Sequence, residues 1–220
     1  MKPEKISMKI TLLAMFAAII IILAIPGNPI GFVPLPVIRG TTIHIPVIIG
    51  SILLGPKYGA VLGFMFGLTS LFNNTFNPTV TSFVFSPFYS MPGTDSGSWL
   101  ALIVTFVPRI LVGVVPWFVY AGIKRILAAP RFEAVSLFIA GIAGSLTNTL
   151  LVMHLIFVFF GEAWNSARAA GPVDFIYGAI LSIIAANGIP EAILAGILTA
   201  AVCVPLKLVY RRRVSAADLK

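Results

Sequence analysis

Charged residues and cysteines are scarce in this sequence. Only 10% of its 220 residues are charged and 59% are hydrophobic, whereas a soluble domain has about 25% charged residues. The mean hydropathy is +1.04. This composition excludes an ordinary soluble globular protein and predicts an all-α integral membrane protein. The single Cys203 excludes an internal disulfide.

The motifs of nucleotide and metal chemistry are also missing from the sequence. There is no GxxxxGKS/T loop, no GxGxxG motif after a strand and no HExxH motif. The two histidines are His44 and His154, and no two acidic residues lie close together within the predicted spans. We therefore expect neither an enzyme nor a cofactor or metal site. Uphill transport by such a chain would depend on an ion gradient or on partner proteins.

Six hydrophobic stretches predict six transmembrane helices in a single domain that covers residues 1–220. The predicted helices 1 to 6 span roughly residues 7–25, 41–54, 58–72, 99–127, 134–160 and 175–210. We expect kinks at Pro108, Pro116 and Pro190. The Pro- and Gly-rich segment PGNPIGFVPLPVIRG, which follows predicted helix 1, favours turns and extended backbone.

Positive charge is distributed unequally between the two ends of the predicted helices. With six spans, twelve Lys and Arg residues fall on the side of both termini, and only Arg39 and Arg168 fall on the other side. The positive-inside rule then places both termini in the cytoplasm. The predicted location of the protein is the bacterial plasma membrane. This asymmetry accounts for the pI of about 10.0 without a nucleic-acid partner. The loops after predicted helices 1, 3 and 5, the last being GEAWNSARAAGPVD, then face outside.

Three consecutive predicted helices carry polar side chains at similar depth in the membrane. Predicted helix 4 has Arg109, predicted helix 5 has Asn148 and His154, and predicted helix 6 has Asn187 and Glu191. A charged group in the bilayer costs about 2.5–3.5 kcal/mol on insertion scales, so it should face a cavity or a partner. Interhelical hydrogen bonds of the two amides, or an Arg109–Glu191 ion pair, are structural alternatives. Taken together, the cluster predicts an outward-open pocket for a small ligand with a carboxylate, hydroxyls or amides.

Small residues at a spacing of four mark the faces of two predicted helices. Those of predicted helix 3 should serve internal helix packing, and they are Gly55, Gly59, Gly63 and Gly67. On predicted helix 1, Ala14 and Ala18 form a similar pair. For that pair, contact with an external partner competes with internal packing.

Along nearly its whole length the chain resembles the substrate-binding S-components of energy-coupling factor (ECF) vitamin transporters. The resemblance rests on the Ala14 and Ala18 pair, on GIAGSLTNTLLVM in predicted helix 5, and on IHIPVIIGSILLGPKYGAVLGFMFGLTSLF across predicted helices 2 and 3. Its most specific part is PVIIGSILLGPKYG, from Pro46 to Gly59. Within the family, SLTNTLLVM and the long Phe-, Asn- and Pro-containing loop after predicted helix 3 are most similar to the pantothenate-specific members.

The resemblance implies a high-affinity subunit that binds a vitamin outside the cell. Such a subunit joins a transmembrane coupling protein and two cytoplasmic ATPases, and its toppling carries the ligand inward. By the same resemblance, Ala14 and Ala18 would contact the coupling protein, and the outer loops would cap the ligand. An S-component for riboflavin or folate, and a self-sufficient ion-coupled transporter of a small carboxylate, remain alternatives.

Pantothenate fits the pocket expected from the polar residues, because it has one carboxylate, one amide and two hydroxyls around an apolar centre. Arg109 or Arg39 would meet the carboxylate, and Asn148 and Asn187 would bond the hydroxyls or the amide. Glu191 would either orient Arg109 or accept a ligand hydroxyl. The complete set of expected ligand contacts is Arg109, Asn148, His154, Asn187, Glu191, Arg39, Asn77, Phe88 and Tyr89.

Overall fold

The computed structural model is helical apart from one short hairpin. It describes residues 3–28, 30–34, 39–127, 129–168, 178, 181–182 and 184–217. The longer helices are α1 (Pro3–Leu23), α2 (His44–Leu54), α3 (Pro56–Phe76), α4 (Leu100–Val112), α5 (Val115–Ile126), α6 (Glu133–Arg168) and α7 (Ile189–Ala217). Strands β1 (Phe32–Pro34) and β2 (Arg39–Thr41) pair antiparallel after α1, with Val33 opposite Gly40. The extended backbone expected in this Pro-rich segment is therefore confirmed.

Helix α2 lies at the centre of the bundle and contacts α1, α3, α5, α6 and α7. Its sequence HIPVIIGSILL has no polar face, as expected for a helix that is surrounded by protein. Ile48 and Val47 are fully buried, and they pack in one cluster with Ile20 of α1 and Leu62 of α3. We call this group the bundle cluster.

The glycines of α3 let α4 approach its backbone closely. A Cβ atom at Gly59 would lie 1.9 Å from the carbonyl oxygen of Gly113, and one at Gly63 would lie 2.2 Å from that of Arg109. A Cβ at Gly67 would meet the ring of Phe106 at 2.7 Å. The expectation of internal packing is therefore confirmed for Gly59, Gly63 and Gly67, whereas a Cβ atom at Gly55 would meet nothing within 4 Å.

Predicted helix 4 is two helices in the structure, because α4 ends at Val112 and α5 begins at Val115. Pro116 lies in the first turn of α5, where its missing N–H costs little. Further into a continuous helix, the same ring would clash with the carbonyl group of Val112. Pro108 lies inside α4 without ending it. The expected helix over 99–127 is thus interrupted at Gly113 and Val114, next to the expected kink at Pro116.

Helix α6 is longer than expected. It has 36 residues and is about 54 Å long at 1.5 Å per residue, whereas the predicted helix 5 ends at Phe160. The eight residues from Gly161 to Arg168 were expected to begin an outer loop, and the structure corrects this because they continue the helix. Their apolar side chains explain the extension, since Trp164 packs beside Phe160 and Phe83.

A second hydrophobic cluster holds the long connection after α3 on this part of α6. Phe83 and Val84, from a 3-10 turn at Ser82–Val84, are fully buried with Ile156 of α6 and Val104 of α4. We call this group the cap cluster and residues 77–98 the cap loop. The cap loop is therefore packed on the helices, as its many aromatic residues predict.

The last helix begins with an irregular turn. A π-helical segment, Ile184–Gly188, leads into α7 at Ile189. Pro190 follows directly, and its missing N–H leaves one helical hydrogen bond unmade at this point. The predicted start of this helix at residue 175 lies outside the described residues.

Glu133 joins three helices at the opposite end of the bundle from the cap loop. Its carboxylate accepts a hydrogen bond of 2.6 Å from the Tyr120 hydroxyl of α5 and pairs with Lys124 at 2.8 Å. Lys207 of α7 pairs with the same carboxylate at 3.3 Å and also bonds to the Tyr120 hydroxyl. All of these charges are half-buried, so the group stabilises the contact of α5, α6 and α7.

Four helical segments of the described chain are long and apolar enough to cross a membrane: Ile6–Leu23, Leu100–Ile126, Pro130–Ala167 and Ile184–Leu208. The second of them comprises α4 and α5 together. Helix α2 is shorter than the roughly 20 residues of a full crossing.

Candidate ligand-binding cavity

A cavity of about 220 Å³ lies between the bundle cluster and the cap cluster. Ile43 and Phe66 contribute to it from the bundle cluster, and Val152 contributes from the cap cluster. Its wall is formed by Thr41, Ile43, Phe66, Thr69, Ser70, Asn73, Asn74, Phe85, Arg109, Asn148, Thr149, Val152, Met153, Asn187 and Glu191. Polar groups from α3, α4, α6 and α7 therefore meet at one apolar-lined site.

Arg109 reaches the cavity from α4 and is 7% exposed. Its Nη1 donates a hydrogen bond of 2.8 Å to the carbonyl oxygen of Val104. Its guanidinium carbon lies 5.1 Å from the ring centre of Phe85 and 5.6 Å from that of Phe66. Within the described chain, its Nε is buried without a hydrogen-bond acceptor. The group is therefore fixed by its surroundings while part of its donor fork is not used by the protein.

Asn148 and Asn187 reach the cavity from α6 and from the π-helical turn. On α6 the cavity-lining residues are Asn148, Thr149, Val152 and Met153, which share one helical face. Among the described residues, the Asn148 Oδ1 atom is buried and has no hydrogen-bond donor near it. An amide with an unused acceptor at a cavity wall is suited to bind a ligand hydroxyl or N–H group.

Glu191 lies one turn after Asn187 and lines the same cavity. Its carboxylate faces the backbone of Thr41, at the end of β2. The ion pairs found in the described part of the chain do not include Arg109 with Glu191. The two charges therefore reach the cavity separately, and of the two roles expected for Glu191, the geometry favours accepting a ligand hydroxyl.

The structure places three of the expected contacts away from the cavity wall. His154 is exposed, because it lies two positions after Val152 and so about 200° around the helix from the cavity face. Its Nδ1 lies 2.7 Å from the carbonyl oxygen of Leu150. Phe88 is 70% exposed and packs edge-on against Trp99 at 6.2 Å. Asn77 is exposed just after α3 ends.

Tyr89 and Arg39 are the remaining two expected contacts. Tyr89 is half-buried and packs against the cap cluster, outside the cavity wall. Arg39 is the first residue of β2, but its side chain lies outside the described residues. Among the side chains that the structure describes, Arg109 is the basic one that lines the cavity.

Four polar residues near the end of α3 line the cavity but were not among the expected contacts, and two of them lie beyond the predicted helix end at residue 72. Helix α3 continues to Phe76, which places Asn73 and Asn74 on the same helical face as Thr69 and Ser70, and all four residues line the cavity. Their spacing of one and four residues is that of a helix face, so the stretch LTSLFNNTF contained the signal. Phe66 and Phe85 had no such signal, since phenylalanine is common throughout this chain.

The residues at the end of α3 also attach neighbouring segments. Asn73 Nδ2 donates a hydrogen bond of 2.6 Å to the carbonyl oxygen of Ala24, next to the end of α1. Asn74 Oδ1 accepts one of 2.8 Å from the Ser82 hydroxyl of the cap loop. The cavity wall is thus connected both to α1 and to the cap loop.

The small-residue pair on α1 lies on the outside of the molecule. Ala14 and Ala18 are both exposed, and so are the neighbouring Met15 and Ile19. Phe16 and Ile20 occupy the other side of the helix, inside the bundle cluster. Internal packing therefore does not account for the exposed pair.

The sequence matches a known protein family over most of its length. The family model described as ECF transporter, substrate-specific component, matches residues 8–203. The chain belongs to this family. As an ECF substrate-specific component, the protein is a multi-pass protein of the plasma membrane and takes part in transport. Membership also implies a vitamin substrate and partner subunits of the ECF module.

Individual relatives agree with the family assignment. The chain is 41% identical over 205 residues to the pantothenic acid transporter PanT of Lactococcus lactis subsp. cremoris (strain MG1363), with 92% of this chain and 94% of that protein covered. It also matches the crystal structure of the S-component for biotin from an ECF-type ABC transporter, with a TM-score of 0.50. That match has 21% identity over 91% of this chain and 93% of the other, so it supports the fold alone.

Proposed function

We propose that this ECF substrate-specific component captures pantothenate at the cavity between the bundle cluster and the cap cluster. The observation that carries the proposal is the separation of charge at the cavity, with Arg109 and Glu191 on different helices and not paired with each other. Pantothenate carries a carboxylate at one end and hydroxyls at the other. The 41% identity to a pantothenic acid transporter supports the same ligand.

In this proposal each polar group has one role. Arg109 binds the carboxylate, because a guanidinium can donate two parallel hydrogen bonds to it. Asn148 and Asn187 bond the amide or a hydroxyl, and Glu191 accepts a hydrogen bond from a hydroxyl. Ile43, Val152 and Met153 contact the apolar centre of the ligand. A cavity of about 220 Å³ suits a molecule smaller than the drug-sized ligands that fill sites of about 300–1,000 Å³.

Calorimetric titration of the purified protein tests this function. We expect one-to-one binding of pantothenate, and no binding of riboflavin, folate or biotin under the same conditions. Binding of another vitamin in place of pantothenate would keep the family role and change the ligand. Folded protein that binds none of the four would contradict the proposal and favour an ion-coupled transporter of a different small carboxylate.

The proposal includes six membrane spans in one domain, with both termini in the cytoplasm. It is supported by the twelve basic residues on one side of the predicted topology against two on the other. Lys57 in the first turn of α3 would then be cytoplasmic, and Thr94 in the cap loop would be outside. A membrane-impermeant maleimide should label Thr94→Cys in intact cells and Lys57→Cys only after permeabilisation. The native Cys203 is buried and should not interfere.

Inward delivery in this proposal depends on a coupling protein and two ATPases, with the substrate-binding subunit toppling in the membrane. The exposed pair Ala14 and Ala18 on α1 is the proposed contact with the coupling protein. Proteoliposomes with this protein alone should bind pantothenate without accumulating it. Accumulation should require both ATP and the other subunits, and ATP-independent accumulation by the protein alone would contradict this part of the proposal.

A further inference from the structure

Two aromatic rings from different parts of the chain flank the guanidinium of Arg109. Phe66 belongs to α3, and its ring centre lies 5.6 Å from the guanidinium carbon. Phe85 belongs to the cap loop, and its ring centre lies closer, at 5.1 Å. Such contacts attract a cation and restrict a planar guanidinium without using its N–H donors. The cap loop therefore contributes directly to the position of Arg109.

The donors of Arg109 are used unevenly. Nη1 donates to the Val104 carbonyl oxygen, which ties the guanidinium to its own helix. Nε is buried and has no acceptor among the residues that the structure describes. A carboxylate that binds an arginine with two parallel hydrogen bonds can approach along an edge that includes Nε. The aromatic contacts hold the group, and the described residues leave this edge without an acceptor.

Phe85 is itself fixed from two sides. Its carbonyl oxygen accepts a hydrogen bond of 2.7 Å from the Thr105 hydroxyl, one turn before Arg109 on α4. The next residue, Ser86, has its hydroxyl 2.8 Å from that of Thr75 on α3. The ring of Phe85 therefore stays beside Arg109 only while the cap loop is seated on both helices.

We propose that Phe85 is a positioning residue, which holds the Arg109 guanidinium for the ligand carboxylate and so makes the cap loop a determinant of selectivity for a carboxylate. This inference rests on the proposed function of the cavity. It predicts that the seated cap loop favours an anionic ligand over an uncharged ligand of the same shape. Pantothenate and pantothenyl alcohol form such a pair, because they differ only in carboxylate against hydroxymethyl.

The experiment is a titration of both compounds against wild type, Phe85→Leu and Phe85→Tyr. We expect Phe85→Leu to lower the preference for pantothenate over pantothenyl alcohol at least about fivefold. Phe85→Tyr, which keeps the aromatic ring, should retain the preference. Phe83→Leu is the matched control, because Phe83 lies in the same loop and is fully buried in the cap cluster but does not line the cavity. Phe83→Leu should weaken the binding of both compounds by the same factor.

The same titrations with proteins that also carry Arg109→Gln separate an effect of Phe85 on Arg109 from an effect of Phe85 on the packing of the cap loop. There the effect of Phe85→Leu on pantothenate binding should largely disappear, because the group that Phe85 positions is gone. An unchanged preference in Phe85→Leu, or an equal effect with and without Arg109, would overturn the inference. If Phe85→Leu does not fold, Phe85→Met also removes the ring, and its preference for pantothenate over pantothenyl alcohol is measured instead. Wild-type protein that binds neither compound would instead overturn the proposed function.

Discussion

At the residue scale, the amides of Asn148 and Asn187 reach one cavity from two helices. Thr147, the neighbour of Asn148, shows how the protein itself uses another polar residue of α6. Its hydroxyl donates a hydrogen bond of 2.6 Å to the carbonyl oxygen of Ala143, one turn earlier. The Asn148 acceptor has no comparable use by the described part of the protein. The difference between these two adjacent residues is the reason for assigning the amide to a ligand.

We therefore expect Asn148→Ala and Asn187→Ala each to weaken pantothenate binding about tenfold, the effect of one lost hydrogen bond in a closed site. Thr147→Val is the matched control and should bind as the wild type does. Calorimetric titration of the four proteins checks this. If both alanine variants keep wild-type affinity, the proposed contacts of the two amides are wrong.

The residues that could be found from the sequence were those that are unusual in their surroundings. Arg109, Asn148, Asn187 and Glu191 stand out because polar groups are costly in an apolar helix. His154 stands out for the same reason but lies on another face of α6, and helix phase within a uniformly apolar stretch is not readable from composition. Phe66 and Phe85 could not be found, because nothing in an apolar sequence distinguishes a cavity phenylalanine from a core one.

At the element scale, the approach of α3 to α4 depends on glycine. Gly59→Ala should lower the free energy of unfolding by about 1–3 kcal/mol, because its Cβ would meet the Gly113 backbone. Gly122→Ala on α5 is the matched control, since a Cβ there meets nothing within 4 Å. Thermal unfolding in detergent should show a clear loss for the first variant and no loss for the second. Equal behaviour would mean that the helices separate at no cost.

The group around Glu133 gives a second prediction at this scale. Glu133→Gln should lower the free energy of unfolding by about 1–2 kcal/mol, because Lys124 and Lys207 lose a shared half-buried carboxylate. Glu162→Gln, on the exposed side of α6, should change little. Thermal unfolding of both variants checks the difference. A stability of Glu133→Gln equal to that of the wild type would contradict a stabilising role for this group.

The presence of the long helices could be predicted from hydropathy, because a helix that crosses lipid must be a long apolar segment. The ends of these helices could not be predicted from hydropathy, because the part of a helix that continues outside the lipid needs no apolar face. The last turns of α6 contain Glu162, Asn165 and Arg168, so they resemble a loop in composition. The predicted end of helix 3 at residue 72 was too early because polar residues follow it, as in a loop. In the structure these polar residues face a cavity and not lipid.

At the scale of the whole molecule, α1 presents one side to the bundle cluster and the other to its surroundings. We expect Ala14→Trp and Ala18→Trp to keep pantothenate binding but to lose uptake with the ECF module, because a bulky side chain would separate the proposed partner surfaces. Ala201→Trp, at an exposed alanine of α7, should retain uptake. Loss of binding in both α1 variants would point to a role in internal packing instead.

The proposed topology also predicts different surroundings for the two clusters on either side of the cavity. Ile156 to Trp164 lie 23 to 31 residues after Glu133 along α6, about 34–46 Å from it and beyond a hydrocarbon thickness of about 30 Å. In the proposed topology, with Glu133 at the cytoplasmic boundary, this outer end of α6 would lie in water, which drives the apolar groups of the cap cluster together, whereas lipid gives the bundle cluster no such drive. Urea should accordingly release the cap loop before the bundle opens, seen as early exposure of Trp164 to aqueous quenchers. Ligand held between the two clusters should delay that release, which makes the cap loop a reporter of occupancy that needs no transport assay.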